Sequence, residues 1–236
     1  MTSPSPSRRE VWRMFDRIAH RYDSLNHFLC LNRDKAWRRR LAETLPSGNG
    51  LVALDLATGT ADQLLALWET GKVKSGVGVD MAARMLELGQ AKIDQRGLAD
   101  TLILLRADAE RLPFDDNSFN VVSITFGIRN VLDVSSALRE MHRVLHTGGR
   151  VLILEFSLPT NIVLRKLYLF YFRRILPSLG GMISGDAYAY RYLNETVETF
   201  PYGDSFCSLM SEAGFISVKD TPLTSGVATL YQGDKA

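Results

Sequence analysis

The sequence predicts an α/β fold in which a mostly parallel sheet has helices on both faces and ends in an antiparallel strand. Apolar runs of strand length alternate with segments of helical spacing between residues 51 and 156, and parallel βαβ units are the usual outcome of such alternation. Only Thr224-Ser225-Gly226 separates the last two apolar runs, so these two strands must pair in opposite directions. With 46% hydrophobic residues in 236, the chain suits one domain with a sizeable core.

A helical cap is predicted ahead of the sheet. Val11 and Phe15 begin an apolar series at helical spacing, and a second helix that carries Trp37 ends before Pro46. The first residues are rich in serine and proline, which is typical of a disordered segment. The predicted organisation is a disordered tail at residues 1–10 and a single domain at residues 11–236, with the helical cap at residues 11–46.

Each element of the alternating part has its own signal. Apolar runs bounded by turn residues predict buried strands, and a glycine just past the end marks the helices that stop at Gly71 and Gly97. Gly148 and Gly149 predict a turn before the last parallel strand. The predicted elements are strand 51–56, helix 61–70, strand 75–79, helix 82–96, strand 102–105, strand 121–126, helix 134–145, strand 151–156, helix 161–176, helix 204–213, strand 215–223 and strand 227–231.

The predicted helix 161–176 is apolar on more than one side. A core-facing helix needs one apolar stripe, and Leu169 and Phe170 lie outside that stripe, among basic side chains. Such a surplus suits a helix at the surface of an anionic membrane or at the lip of an apolar tunnel, and burial in a homodimer would explain it equally well. The stripe itself consists of Leu164, Leu167, Tyr168, Tyr171, Phe172 and Ile175.

A ligand site is predicted where the first two strands end. The apolar strand 51–56 leads into a turn of small residues that opens a helix, and Asp80 ends the second strand. Such a turn lets the backbone approach a ligand, and a carboxylate about 20 residues further on suits the two hydroxyls of a ribose. A dinucleotide site would have the glycine series G-x-G-x-x-G, whereas this chain has Gly59, Ala61 and Leu64. S-adenosylmethionine, which has no phosphate, fits this pattern better.

Composition and charge exclude several other classes. The net charge of +2 comes from 28 basic and 26 acidic side chains in mixture, so nucleic acid is not an expected partner. Cys30 and Cys207 lack the spacing of metal ligands, and no metal is expected. No apolar run approaches the roughly 20 residues of a membrane span, and the start has no secretory pattern. We therefore expect a cytoplasmic protein whose membrane contact, if it has one, is peripheral and at the inner face.

Short motifs occur along residues 11–233. They are M-F-D at 14–16, R-Y-D at 21–23, L-N at 25–26, D-A-E-R-L-P-F at 108–114, F-G-I-R-N at 126–130 and L-E-F-S at 154–157. The fourth is common to many methyltransferases, whereas the others together resemble the C-methyltransferases of ubiquinone and menaquinone biosynthesis. That resemblance implies the seven-stranded class I S-adenosylmethionine-dependent methyltransferase fold. It also implies methyl transfer to the ring of a polyprenyl quinol, either demethylmenaquinol or 2-polyprenyl-6-methoxy-1,4-benzoquinol.

The resemblance further implies a set of site residues. Arg129 would stabilise the phenolate form of the quinol and Asn130 would hold the other ring oxygen, while Tyr22 and Asp23 of the cap would close the site or relay a proton. The guanidinium of Arg129 stays protonated, so we assign it electrostatic stabilisation rather than base catalysis. The cofactor residues would be Asp55, Gly59, Thr60, Asp80, Asp108, Ala109 and Thr125.

Several positions depart from the family pattern. Ala61 replaces a usual glycine beside the cofactor, and its methyl group would weaken cofactor binding if the backbone there needs a positive φ. Asn120 stands where aspartate is frequent, and Leu31-Asn32 replace an aromatic-glycine pair. These changes leave cofactor binding expected and the choice of quinol head group open.

Two other functions are compatible with part of this pattern. A nicotinamide-dependent oxidoreductase shares the alternating strands and helices, although it would have the fuller glycine motif. A non-catalytic quinol-binding accessory protein could share the fold, but it would not need a complete cofactor site.

Overall fold

The computed structural model describes residues 10–30, 32–175 and 187–236, and for residues 24–29, 175, 187–191 and 193 it describes the backbone only. The predicted tail lies outside the described residues except for Glu10. Its disorder, and the extent of a single domain, stay predictions.

Seven strands form one sheet. They are β1 (Leu51–Leu56), β2 (Val73–Asp80), β3 (Leu102–Arg106), β4 (Phe119–Thr125), β5 (Leu145–Phe156), β6 (Ile216–Leu223) and β7 (Ala228–Asp234). Their order is β3-β2-β1-β4-β5-β7-β6, and only β7 runs against its neighbours. The mostly parallel sheet with an antiparallel terminal strand is thus confirmed. The order reverses between β1 and β4, and ligands of open α/β sheets bind at the carboxyl edge beside such a reversal.

The described residues also form eight α-helices. They are α1 (Val11–Leu29), α2 (Arg33–Glu43), α3 (Asp62–Trp68), α4 (Ala83–Gln95), α5 (Val134–Val144), α6 (Ile162–Phe170), α7 (Ala187–Thr199) and α8 (Asp204–Glu212). None of them is long and apolar enough to cross a membrane.

Helices cover both faces of the sheet, as predicted. Successive side chains of a strand point to opposite faces. In β5, Leu152 therefore packs in one apolar cluster with Trp37 of α2, whereas its neighbour Ile153 packs in another with Leu138 of α5 and Phe206 of α8. One apolar layer thus packs on each face of the sheet. The polar residues lie at the carboxyl edge of the sheet, where the strands lead into the loops.

The predicted turn at Gly148 and Gly149 is wrong as a boundary, because both residues lie inside β5. The pairing between β4 and β5 shifts register there. The amide of Gly148 donates to the carbonyl oxygen of Lys235 at 2.9 Å, and the amide of Lys235 donates to the carbonyl oxygen of Gly149 at 3.0 Å. These bonds to Lys235, the residue after β7, continue the pairing past the two glycines instead of ending it.

Helix α6 exposes a different set of side chains from the predicted one. The α-helix ends at Phe170 and continues as a π-helix over Tyr171–Ile175, whose wider turn changes the phase of the apolar stripe. Leu169 is half-buried against the core, so the prediction that it is an exposed surplus is wrong. Five large apolar residues are instead 43% to 68% exposed, namely Ile162, Val163, Leu164, Leu167 and Phe170.

Candidate active site

A cavity of about 350 Å³ lies between α1 and the carboxyl edge of the sheet, next to the reversal of strand order. This volume is at the lower end of the range for small-molecule sites. We call it the large cavity to distinguish it from a smaller one beside it. Its lining residues are Val11, Trp12, Phe15, Tyr22, Ala57, Gly59, Val79, Asp80, Met81, Met85, Ala107, Asp108, Ala109, Glu110, Thr125, Phe126, Gly127, Asn130, Val131 and Leu132. A more open cavity of about 630 Å³, between α2, α3 and α4, is lined by none of the predicted site residues.

Asp80 ends β2 and places a half-buried carboxylate in the wall of the large cavity. Its Oδ2 accepts the amide of Gly59 at 2.9 Å, and its Oδ1 accepts the amide of Ala82 at 2.8 Å. Burial raises the pKa of this carboxyl, and the two amides oppose the rise. The bonds fix the carboxylate beside the turn and leave each oxygen with a further lone pair, which suits two ribose hydroxyls.

The loop between β1 and α3 adopts a left-handed backbone at alternate residues. The φ angles are 47° at Ala57, 56° at Gly59 and 65° at Ala61, a region that only glycine enters without steric cost. The condition for weaker cofactor binding, a positive φ at Ala61, is therefore met. However, Ala61 is fully buried between α3 and α4, beside Gly89, and it does not line the large cavity.

Asp55 lies under this loop, where it is 1% exposed. Its Oδ2 accepts the hydroxyl of Thr58 at 2.7 Å, and its Oδ1 accepts the hydroxyl of Ser123 at 2.6 Å. Burial raises the pKa of Asp55 to about 6 in spite of these bonds. Asp55 thus connects the loop to β4, and it borders a second cavity of about 20 Å³, which we call the small cavity.

A polar network joins α1 to the same loop. The hydroxyl of Thr60 donates to Oδ1 of Asp23 at 2.7 Å, and Nζ of Lys92 pairs with Oδ2 of Asp23 at 2.7 Å. The same Nζ lies 2.6 Å from Oδ1 of Asp62 and donates to Thr60 at 2.9 Å. We call these four residues the α1 latch. In this arrangement the Asp23 carboxylate holds the cap against the loop, which matches a closing role better than a proton relay.

Tyr22 lines both cavities. Its ring packs edge to face against Phe15, with 5.8 Å between the ring centroids. Burial raises the pKa of its hydroxyl to about 12. A phenol with this pKa stays protonated at neutral pH, so Tyr22 can donate a hydrogen bond but is a poor base.

The ends of β3 and β4 supply the other expected cofactor residues. Asp108 and Ala109 follow β3 and line the large cavity, where Oδ1 of Asp108 accepts the amide of Glu110 at 3.0 Å. Thr125 ends β4 and borders both cavities, and its hydroxyl donates to Oε1 of Gln63 at 3.2 Å.

Arg129 follows β4, but it does not line the large cavity. Its Nη1 donates to Oε1 of Glu155 at 2.5 Å and to the carbonyl oxygen of Phe126 at 2.8 Å. Its Cζ lies 5.3 Å from the ring centroid of Phe156. Its Nε is buried and has no partner among the described residues. Sequence reasoning missed Glu155 as a site residue, although it belongs to the L-E-F-S motif.

Asn130 lines the large cavity, and its Oδ1 is buried with no hydrogen-bond partner in the described part of the chain. A buried amide oxygen of this kind is free to accept a ligand hydroxyl. The predicted site residues that line the large cavity are Tyr22, Gly59, Asp80, Asp108, Ala109, Thr125 and Asn130. Those that surround it without lining it are Asp23, Asp55, Thr60 and Arg129.

Solved structures with a similar fold include a S-adenosylmethionine-dependent methyltransferase of Thermotoga maritima. It is 20% identical and has a TM-score of 0.66. The superposition includes 95% of this chain and 99% of the Thermotoga protein. The [4+2]-cyclase SpnF is 15% identical and has a TM-score of 0.65. Its superposition includes the whole of this chain and 99% of the cyclase. These two likenesses confirm the fold class, and their different activities show that the fold alone does not assign the reaction.

The sequence model of the ubiE/COQ5 methyltransferase family matches residues 3–235. A ubiquinone/menaquinone biosynthesis C-methyltransferase UbiE of Geobacter sp. (strain M21) is 44% identical over 94% of both chains. A demethylmenaquinone methyltransferase of Thermus thermophilus is 45% identical over 94% of this chain and the whole relative. These matches confirm the predicted enzyme class, a S-adenosylmethionine-dependent C-methyltransferase of quinone biosynthesis, rather than a nicotinamide-dependent oxidoreductase. The chain belongs to the ubiE/COQ5 methyltransferase family.

Proposed function

We propose that the protein transfers a methyl group from S-adenosylmethionine to a ring carbon of a polyprenyl quinol in the biosynthesis of menaquinone, ubiquinone or both. One observation carries the proposal. The Asp80 carboxylate lines a cavity of cofactor size at the reversal of strand order, where the amides of Gly59 and Ala82 fix it. The names of the relatives indicate the acceptor, because both concern quinone biosynthesis.

The residues of the large cavity fit the adenosine part of this cofactor. Asp80 would hold the ribose, and Asp108 with Ala109 would lie beside the adenine, against apolar side chains such as Val131 and Leu132. Gly59 lets the backbone come close to the ligand because no side chain intervenes. When bound, the cofactor supplies an electrophilic methyl group on its sulfonium centre.

The acceptor side requires groups that hold a phenol or phenolate oxygen. Asn130 provides a buried oxygen without a partner, which would orient one ring hydroxyl. The Nε of Arg129, also without a partner among the described residues, would stabilise negative charge at the other ring oxygen. Ionisation of that hydroxyl makes the ring carbon more nucleophilic, and the enzyme then has mainly to position the reactants and exclude water.

The reaction can be tested with purified protein, a labelled methyl donor and a short-tailed acceptor. We expect methylation of the reduced quinol and none of the oxidised quinone, because the quinone ring is electron-poor and has no hydroxyl to ionise. Demethylmenaquinol and the methoxybenzoquinol should be compared as acceptors in the same assay. Equal turnover of the oxidised acceptor would contradict the proposed chemistry.

The proposal includes peripheral contact with the inner face of the membrane through α6. Within nine residues this helix has five large apolar side chains that are 43% to 68% exposed, and Arg165 and Lys166 lie among them. An amphipathic helix with this mixture of apolar and basic side chains binds anionic lipid surfaces. The isoprenoid tail of the substrate resides in lipid, so this contact would bring the enzyme to its acceptor.

A further inference from the structure

Arg38 of α2 has a buried charge without a counter-ion in the described structure. The residue is 9% exposed, its Nε is buried without a hydrogen-bond partner among the described residues, and no ion pair to it is found there. Its Cζ lies 5.6 Å from the ring centroid of Phe126, a cation–π contact that replaces little of the lost hydration. Charged side chains are rarely buried unless they are paired, so this guanidinium is arranged for an anion from outside the chain.

Arg38 lines two cavities, an open one of about 630 Å³ beside α2 and the small one, and of these two the small cavity alone shares lining residues with the large cavity. The small cavity is therefore where we expect such an anion to bind. Arg38 lines it together with Tyr22, Gly59, Thr60, Gln63 and Thr125. Tyr22, Gly59 and Thr125 also line the large cavity, so the two spaces have a common wall. The shared residues therefore bring one end of a ligand in the large cavity next to the small cavity and Arg38.

The carboxylates that border the small cavity do not neutralise this arginine. Both oxygens of Asp55 accept hydroxyl groups, from Thr58 and Ser123. Asp62 forms an ion pair with Lys92. The positive charge of Arg38 nevertheless acts on this space, because it opposes the rise in the pKa of Asp55 and of Tyr22.

We infer that Arg38 binds the α-carboxylate of the methionine part of S-adenosylmethionine. The inference rests on the proposed function and extends it to the far end of the cofactor. Asp80 and Asp108 assign the adenosine part to the large cavity, so the methionine part extends past Gly59 and Thr125. A guanidinium and a carboxylate form two parallel hydrogen bonds, and a cavity of about 20 Å³ has room for one water-sized group, which is the size of one carboxylate oxygen.

The decisive experiment compares S-adenosylmethionine with its decarboxylated form, which lacks only the carboxylate. Binding of both to the wild type, Arg38→Met and Arg39→Met is measured by titration calorimetry. Arg39 is the matched control, because it is the next residue on α2 and is exposed. We expect the wild type and Arg39→Met to prefer the complete cofactor at least tenfold. Arg38→Met should lose this preference while binding the decarboxylated form within twofold of wild type.

A purely structural role of Arg38 predicts a different pattern. If Arg38 only supported Phe126, Arg38→Met would lower the affinity for both ligands equally. That result would overturn the inference. If Arg38→Met does not fold, as judged by thermal melting, Arg38→Lys is the second variant. It retains the positive charge but not the planar guanidinium, and it should still reduce the ratio of affinities between the complete and the decarboxylated cofactor. Equal affinity of the wild type for the two ligands overturns the inference without any variant. Failure of the wild type to bind either ligand would refute the proposed cofactor itself.

Discussion

Arg129 and Glu155 form an ion pair that is almost completely withdrawn from water. Nη1 and Oε1 are 2.5 Å apart, and the side chains are 6% and 1% exposed. Oε1 of Glu155 also accepts the amide of Phe156 at 2.8 Å. Glu155 therefore compensates the buried charge of Arg129 and fixes its Nη1 edge, so that only the remaining edge is available to a substrate oxygen.

Replacement of Arg129 by leucine should lower kcat about a hundredfold or more, because a positioned donor at a developing oxyanion contributes on that scale. The Kd for S-adenosylmethionine, measured by calorimetry, should stay within about twofold. Arg139→Leu, an exposed arginine on α5, is the control and should be neutral in both assays. A defect in cofactor affinity alone would contradict the assignment.

Removal of either member of the buried pair should also lower the free energy of unfolding, by about 3–5 kcal/mol, because the other charge is left unpaired. The double variant Arg129→Leu/Glu155→Leu should recover most of this stability in urea denaturation. Its activity should remain as low as that of Arg129→Leu. Recovery of both stability and activity would mean that the pair is structural only.

Replacement of Asp80 by alanine should weaken cofactor binding at least tenfold, since the loss of a hydrogen-bonded charged partner costs about 1.5–3 kcal/mol. Asp80→Asn keeps an acceptor oxygen on the side chain and should have an intermediate affinity. Asp100→Ala, in an exposed turn, provides the control. Unchanged affinity in Asp80→Ala would indicate that the cofactor does not bind in the large cavity.

Asp55 should make the protein less stable as the pH rises from about 4 to 6. Its folded pKa is raised to about 6, so the folded state retains a proton that the unfolded chain releases in this window. The free energy of unfolding then falls by about 3 kcal/mol from this group and is flat above it. Denaturation of the wild type and Asp55→Asn at several pH values tests this, and the variant should lack this decrease. A wild-type stability that rises through the same window in step with the variant would contradict the assignment.

Membrane contact through α6 predicts that Leu167→Ser and Phe170→Ser each reduce co-sedimentation with anionic liposomes. Activity on a long-tailed quinol should fall in parallel, while activity on a short-tailed analogue should not. Leu169→Ser is the informative comparison, because Leu169 is half-buried and its loss should lower the melting temperature instead. Loss of a dimer with lipid binding intact would assign the exposed face to a second copy of the chain.

The strands and the turn after β1 could be predicted because their signals are local: an apolar run, small residues and a terminal carboxylate. Helix α7 was not predicted, because Tyr188, Tyr190 and Tyr192 recur with the period of two that is typical of a strand and obscure the helical spacing of the residues that follow. The exposure of α6 could not be predicted either, because it depends on which side of the helix packs against the core. Glu155 lies 26 residues from Arg129, and only the pairing of β4 with β5, which places Thr125 opposite Leu154, brings them together.

The α1 latch makes the docking of the cap and the occupancy of the large cavity thermodynamically linked. The helix supplies Val11, Trp12, Phe15 and Tyr22 to the wall of the cavity and is held to the loop through Asp23. A ligand that binds only the docked state makes undocking less favourable by RT ln(1 + [L]/Kd), about 2.7 kcal/mol at a hundredfold excess over Kd. The apparent Kd is the intrinsic Kd divided by the docked fraction, so Asp23→Ala weakens ligand binding by the factor by which it lowers that fraction. Amide hydrogen exchange along α1 would therefore report cofactor affinity from outside the pocket.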